Sequence, residues 1–154
     1  MKWFVKCLRH YADFRGRASR PEFWYFVLML FLVLVPMFAV IMGVTTLYNI
    51  GGTVRRCLVY VVSLPFILPY VAVMVRRLHD SGRSGWWTGG YLAVSIAGRV
   101  IGYFSLKPDA VAWLADADLA VAILQSVYLI FMIYWWSLPG YPGENRYGAV
   151  PAAE

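Results

Sequence analysis

Residues 23–54 contain no charged side chain, and this run constrains the fold more than any other feature of the sequence. A helix needs about 20 apolar residues to cross the hydrocarbon of a bilayer, so residues 23–44 suffice for one crossing. Hydrophobic residues make up 61% of the 154-residue chain and charged residues 14%. Because a soluble domain of this size has too little interior to hide so much apolar surface, the sequence predicts an integral membrane protein.

Three further apolar runs have the length of a membrane span, at about residues 57–75, 86–106 and 119–138. Together with 23–44 they predict an all-α membrane protein: a four-transmembrane-helix bundle that forms one domain over residues 1–148, followed by a tail at 149–154. Pro36, Pro65 and Pro69 fall inside these spans, where neighbouring helices can satisfy the carbonyls that proline frees. The first span follows a polar, basic segment and is far longer than the apolar core of a cleaved signal peptide, which has about 7–15 residues, so we expect a retained anchor.

Lysine and arginine are distributed unequally between the loops, and this bias sets the orientation of a multi-pass protein. Three lie in the connections between the first and second spans and between the third and fourth spans, at Arg55, Arg56 and Lys107. Ten lie in the connection between the second and third spans and in the two terminal segments, at Lys2, Lys6, Arg9, Arg15, Arg17, Arg20, Arg76, Arg77, Arg83 and Arg146. The bias predicts a protein of the bacterial inner (cytoplasmic) membrane with both termini cytoplasmic, an N-in/C-in topology.

Apolar residues recur at helical spacing ahead of the first span, at Trp3, Phe4, Cys7, Leu8, Tyr11 and Phe14. Basic residues fall on the other side of the same helix. The pattern predicts an amphipathic N-terminal helix that lies in the membrane interface. The alternative, that this helix covers a soluble partner, stays open.

The net charge of +6 raises the question of an acidic partner. In a protein with apolar spans, basic residues next to the membrane orient the chain and contact anionic lipid headgroups. We therefore predict membrane lipids, in particular anionic phospholipid, as partners and no nucleic acid. An acidic protein partner and a homo-oligomer remain open alternatives.

Three polar segments on the predicted cytoplasmic side carry most of the candidate functional residues: 14–24, 76–87 and 142–148. In the first, Ser19 and Glu22 have the spacing of a capping box, in which both side chains satisfy backbone donors at a helix start. In the second, three arginines with a histidine and an aspartate could grip a phosphate. The residues predicted to bind an anionic headgroup are Arg15, Arg17, Arg20, Arg76, Arg77, His79, Asp80, Arg83, Asn145 and Arg146.

Neighbouring residues of a helix point about 100° apart, so His79 and Asp80 do not face each other as an acid–base pair would. The sequence contains no nucleophile–base motif, no metal-ligand spacing and no phosphate-binding glycine loop. We therefore predict no catalytic residue, no metal site and no cofactor. An enzyme acting on phosphorylated lipid through His79 and Asp80 stays as an alternative function.

Arg99 and Gln125 are the strongly polar side chains inside the predicted spans. An arginine near the middle of a membrane costs about 2.5–3.5 kcal/mol on insertion scales, which makes Arg99 unusual. It either extends outward to the nearer interface or lines a polar cavity. The second interpretation supports a small homo-oligomeric transporter or channel as another alternative function.

The three polar segments together resemble the YhaH/YhaI-like family of small bacterial inner-membrane proteins, known as domain of unknown function 805. The most specific part of the resemblance is the run from Arg76 to Trp87, with a Phe-x-Gly-Arg-x-Ser-Arg-x-Glu-Phe-Trp opening and a Gly-x-Asn-x-Tyr-Gly ending. The resemblance covers the chain to about Gly148. It implies four-helix inner-membrane proteins and supplies no reaction and no residue roles.

Overall fold

Five α-helices account for most of the structure, a computed structural model that describes residues 2–107 and 111–151. In chain order they are α1 (Lys2–Arg9), α2 (Arg20–Leu47), α3 (Gly52–Asp80), α4 (Trp86–Ser105) and α5 (Trp113–Ser137). Among the described residues there is no β-strand, and one isolated bridge joins Asn145 and Gly148. The prediction of an all-α protein is confirmed.

Three helices of the described chain, α2, α3 and α5, are long and apolar enough to cross a membrane. Their most apolar segments have mean hydropathies of 2.9, 2.3 and 1.8. The fourth predicted span, α4, has the expected position but is not among these three. It carries Arg99 and several glycines, which lower its hydropathy.

Three helices extend beyond the predicted spans. α3 runs from Gly52 to Asp80, where the sequence predicts a span over residues 57–75. α2 continues to Leu47. Near this end the Thr45 hydroxyl donates to the Ile41 carbonyl over 2.7 Å, so this polar side chain has a hydrogen-bond partner within the helix. α5 begins at Trp113, before the predicted start at residue 119, with Asp116 in its first turn. A carboxylate is favoured there because the helix dipole is positive at that end. The apolar run marks the part of each helix suited to hydrocarbon, and the helix itself is longer.

The buried core lies at one end of the helices. Its members are Phe23, Phe26 and Leu30 of α2, Val73, Met74 and Leu78 of α3, and Met132 and Trp136 of α5, together with Cys7 and Ala18. The end of α2 near Arg20 and the ends of α3 and α5 near Asp80 and Ser137 therefore pack together. Over most of their remaining length the same helices expose apolar side chains. Lipid is the solvent suited to such a surface.

α1 packs with its apolar side on the beginning of α2. The Phe4 and Phe26 rings stack at 5.4 Å between centroids, and Cys7 is fully buried. The helix ends at Arg9, so it is shorter than the predicted amphipathic stretch, which continued to Phe14.

Tyr11, beyond the end of α1, contacts the middle of α3. Pro69 has no backbone N–H, so the carbonyl of Pro65 lacks its usual intrahelical donor. The Tyr11 hydroxyl donates a hydrogen bond to this Pro65 carbonyl. One of the proline-freed carbonyls is thus satisfied by the N-terminal segment.

Candidate functional site

Arg17 brings the three polar segments together at the end of the molecule that holds the core. Its Nε donates to Asp80 Oδ1 over 2.9 Å, and its two terminal nitrogens donate to the carbonyls of Gly143 and Tyr141 over 2.6 Å each. The side chain is 1% exposed. Arg17 therefore joins the N-terminal segment to the end of α3 and to the chain that follows α5.

Arg77 binds the other oxygen of the Asp80 carboxylate. It forms an ion pair with Asp80 Oδ2, and its guanidinium also donates to the carbonyls of Trp136, Leu138 and Ala18. The last carbonyls of a helix have no intrahelical partner and carry the negative end of its dipole. Arg77 thus stabilises the C-terminus of α5. Arg17, Asp80 and Arg77 are called the Asp80 network below.

Gly140 packs directly on this network. A Cβ at Gly140 would lie 2.8 Å from Asp80 Cγ, closer than van der Waals contact permits. The backbone N–H of Tyr141 donates to the Asp80 carbonyl over 2.8 Å, which holds the turn in place. The glycine is therefore required by the close approach of the turn to a buried carboxylate.

Glu22 is the centre of a second buried network. Its Oε1 accepts from Arg76 at 2.8 Å, its Oε2 lies 3.5 Å from Lys6 Nζ, and the Cys7 thiol lies 3.7 Å from Oε1. Ser19 Oγ accepts the backbone N–H of Glu22 over 3.3 Å, so the serine half of the predicted capping box is present. The Glu22 carboxylate, however, forms ion pairs with Arg76 and Lys6.

The same environment suppresses ionisation of Cys7. Burial, and then the negative charge of Glu22, raise the pKa of the Cys7 thiol from 9.0 to about 12. Burial disfavours the thiolate because a charge is poorly solvated in an apolar interior. Cys7 is therefore a protonated packing residue at neutral pH.

His79 and Asp80 have separate partners. His79 Nδ1 lies 3.2 Å from the Gly16 carbonyl, and its ring stacks on Tyr147 at 3.8 Å between centroids. Asn145 donates its amide to the His79 carbonyl over 3.0 Å. Asp80 is bound by Arg17 and Arg77. The alternative of an enzyme built on His79 and Asp80 therefore gains no support from the geometry.

The predicted headgroup-binding residues fall into two groups. Arg17, Arg76, Arg77 and Asp80 are buried, and all four form ion pairs within the protein. Asn145 and His79 likewise have internal partners. We therefore revise the prediction for the four buried residues, since burial keeps their charges from an external headgroup. Arg15, Arg20 and Arg146 are exposed, and Arg83 is partly exposed.

These less buried arginines differ in their contacts. Arg20 donates to the Leu138 carbonyl over 2.9 Å, so it also supports the end of α5. Arg83 lies over the Trp135 ring at 5.1 Å and Arg146 over the Tyr147 ring at 4.7 Å. Arg15 uses its backbone N–H to bond Asp13. Arg15, Arg83 and Arg146 therefore keep guanidinium donors for a ligand.

A groove of about 520 Å³ lies between α3 and α4, and we call it the α3–α4 groove. Each of these three arginines is next in sequence to one of its lining residues. Its lining comprises Phe14, Val71, Val75, His79, Ser84, Gly85, Trp86, Thr88, Gly89, Leu92 and Tyr147. A Cβ at Gly85 would lie 2.6 Å from Val75 Cγ1, so the glycine permits the close approach of α4 to α3. The Thr88 hydroxyl is buried and has no hydrogen-bond partner among the described residues.

Arg99 and Gln125 line a second, smaller pocket of about 210 Å³, the α4–α5 pocket. Gln125 Nε2 donates to Ser95 Oγ over 3.2 Å. Gly98, Ala122 and Asp118 complete the lining. Arg99 lines this pocket, is exposed, and has no ion pair within the described part of the chain.

Sequence reasoning missed several residues of these sites. The Gly98-x-x-x-Gly102 spacing, typical of closely packed membrane helices, predicts the approach of α4 to α5. A Cβ at Gly98 would lie 3.2 Å from Val121 Cγ1, and one at Gly102 would lie 3.1 Å from Asp118 Oδ1. Thr88 gave no comparable signal, because its burial depends on contacts distant in sequence.

The comparison with known proteins supplies a family and no activity. The family profile described as "Protein of unknown function (DUF805)" matches residues 11–149. Inner membrane protein YhaH of Escherichia coli K12 is 30% identical over 156 residues, covering 100% of this chain and 99% of the relative. Inner membrane protein YhaI of the same strain is 35% identical over 89 residues, covering 56% of this chain and 68% of the relative. Uncharacterized protein YiiR of the same strain is 30% identical over 143 residues, covering 88% of this chain and 84% of the relative. No solved structure matches this chain.

Proposed function

Because this chain belongs to the DUF805 family of proteins of unknown function, we propose its role from its geometry: it is a four-span inner-membrane protein that holds an anionic phospholipid in the α3–α4 groove. Both termini lie in the cytoplasm, and the phosphate of the lipid lies among Arg15, Arg83 and Arg146. The observation that carries the proposal is an apolar groove, together with three partly or fully exposed arginines that are each next in sequence to one of its lining residues.

The packing of α4 on α5 supports four crossings. A Cβ at Gly90 would lie 2.6 Å from the Tyr128 hydroxyl, and Gly102 lies at the opposite end of α4 beside Asp118. α4 therefore runs antiparallel to α5 over most of its length. Its 20 residues give a length of about 30 Å, which matches the hydrocarbon thickness of a bilayer. If α5 crosses the membrane, α4 crosses beside it.

The joining of the three polar segments supports a single cytoplasmic side. Arg17, the end of α3 and the turn after α5 are in contact, so all three lie on the same side of the membrane. The greater share of lysine and arginine is on that side, and such residues favour the cytoplasm. α1, whose apolar side packs on α2, then lies at the inner interface.

The lining of the α3–α4 groove suits one end of a phospholipid. Val71, Val75 and Leu92 supply an apolar surface for an acyl chain. Ligand pockets have volumes of about 300–1,000 Å³ and a few placed polar groups, and the groove meets both conditions. Each of the three arginines lies next in sequence to a lining residue, namely Phe14, Ser84 and Tyr147. Guanidinium groups bind phosphate oxygens in pairs of hydrogen bonds.

The test compares lipid retention in variants with equal charge loss. In the triple variant R15Q/R83Q/R146Q we expect bound phosphatidylglycerol, measured by native mass spectrometry, to fall about tenfold or more, since charged hydrogen bonds are lost. The control R55Q/R56Q/K107Q removes three cations from the opposite side and should retain lipid as the wild type does.

A second variant tests the groove with all arginines intact. Gly89→Leu places a large side chain in the lining and should also reduce retention. The proposal is wrong if the arginine variant keeps as much phosphatidylglycerol as its control. It is equally wrong if that variant loses a co-purifying acidic protein while lipid stays bound, because the arginines would then serve a protein partner.

A further inference from the structure

The α4–α5 pocket lies on the face of α5 that packs on α2 and α3 nearer the other end of the helix. On α5, Asp118, Ala122 and Gln125 follow the three- and four-residue spacing that places side chains on one helix face, and Met132 and Trp136 continue it. Met132 is fully buried, and Trp136 contacts Phe23 of α2 at 5.0 Å between ring centroids. The face that carries the pocket is therefore the face that packs on α2 and α3 further along.

The pocket contains one cation and one carboxylate that are not paired with each other. Both Arg99 and Asp118 line it, yet no ion pair or hydrogen bond of either side chain exists among the described residues. Gln125 uses its NH₂ group on Ser95, which leaves its carbonyl oxygen as an acceptor. Separated charges within a membrane are costly unless a partner compensates them.

The depth of the pocket defines where a ligand enters. At 1.5 Å per residue, Arg99 lies about 9 Å from the Ser105 end of α4, and Asp118 lies about 8 Å from the Trp113 end of α5. These are the ends opposite to the Asp80 network. In the proposed orientation the pocket is reached from the periplasmic side.

We propose that the α4–α5 pocket binds a zwitterion, with its anionic group on Arg99 and its ammonium group on Asp118. The volume of about 210 Å³ accommodates about seven water-sized groups, at about 30 Å³ each. A phosphate and a primary amine joined by a short linker fit this size and this charge order. Such a group occurs as the headgroup of an aminophospholipid and also as a free metabolite. The site is separate from the α3–α4 groove and needs none of its arginines.

The experiment uses the full chain in nanodiscs that contain equal amounts of phosphatidylethanolamine and phosphatidylglycerol. We expect the wild type to retain phosphatidylethanolamine in native mass spectra. Arg99→Gln and Asp118→Asn should each weaken retention by about tenfold or more, through loss of one charged hydrogen-bonding partner. Ser126→Ala, on an exposed part of α5, is the control and should bind as the wild type does.

A soluble probe distinguishes the two sources of the ligand. If O-phosphoethanolamine raises the Tm of the detergent-purified wild type but not of Arg99→Gln, the site takes a free zwitterion; if only the lipid binds, it takes the headgroup. Unchanged binding in both single variants would overturn the proposal. Binding of neither probe, with the charge-swapped R99D/D118R as stable as the wild type, would show an internal ion pair and overturn it too. Neither outcome affects lipid retention by Arg15, Arg83 and Arg146, so the two proposals fail separately.

Discussion

The Arg17 guanidinium donates to the Asp80 carboxylate over 2.9 Å, although the two residues are 63 positions apart in the sequence. Arg77 binds the other oxygen of the same carboxylate, and the other hydrogen bonds of both arginines go to backbone carbonyls. A buried carboxylate with two guanidinium partners is stable only while all three remain. The Asp80 network therefore connects the N-terminal segment, α3 and the end of α5.

Asp80→Asn tests this connection. The substitution leaves two buried guanidinium groups without their counter-charge, and breaking a buried pair in this way costs about 3–5 kcal/mol. We expect a large fall in the Tm of the detergent-purified protein. The control is Asp116→Asn, at an exposed position in the first turn of α5. Equal Tm values for the two variants would contradict the role assigned to the network.

Gly140→Ala should reproduce much of this loss without removing any charge. The new methyl group would collide with the Asp80 carboxylate, so the turn after α5 has to move away from Arg17. Gly143→Ala is a matched control in the same segment, because its Cβ meets nothing closer than 3.6 Å. Thermal unfolding should show a marked destabilisation for Gly140→Ala and a small change for Gly143→Ala. The reverse order would show that the close approach to Asp80 is unimportant.

Cys7 should resist thiol reagents in the folded protein. With its pKa raised from 9.0 to about 12, the Cys7 thiolate at pH 8 is about three orders of magnitude scarcer than that of an unburied cysteine. In a Cys57→Ser background, we expect maleimide labelling to be slow until the protein is denatured. Glu22→Gln removes a negative charge and should speed labelling.

The same shift makes a prediction for pH dependence. A raised pKa in the folded state gives stability that is complete below the unfolded pKa of 9.0 and is lost as the pH rises towards 12. Cys7→Ser should flatten the fall in stability across that interval. Rapid labelling of folded Cys7 at pH 8 would contradict the assignment.

Tyr11→Phe tests the hydrogen bond to the Pro65 carbonyl. Loss of the hydroxyl leaves this carbonyl without a donor and should cost about 1 kcal/mol. In a Pro69→Ala background residue 69 regains its N–H, which can bond the Pro65 carbonyl within the helix. Tyr11→Phe should then have little effect. A double-mutant cycle of unfolding free energies checks this, and additive effects would exclude the proposed link.

The all-α class and the approximate positions of the helices could be predicted from the sequence. Apolar runs mark the membrane-spanning part of each helix, and proline–glycine stretches mark where a helix ends. The predicted start of α5 is too late, since Asp116 and Asp118 interrupt the apolar run without interrupting the helix.

The sequence analysis also assigned Arg17, Arg76 and Arg77 to ligand binding. The ion-pair partners of Arg17 and Arg76, which are Asp80 and Glu22, lie more than 50 positions away in the sequence. Local patterns do not report such pairs.

The topology is tested most directly by reporter fusions at three places: each chain end and the α4–α5 connection. Green fluorescent protein matures in the cytoplasm, and alkaline phosphatase is active only after export. We expect fluorescent fusions at both ends and an active phosphatase between α4 and α5, which requires α4 to cross the membrane. An exported terminus, or a fluorescent reporter in the α4–α5 connection, would contradict the arrangement of four spans with the Asp80 network on the cytoplasmic side.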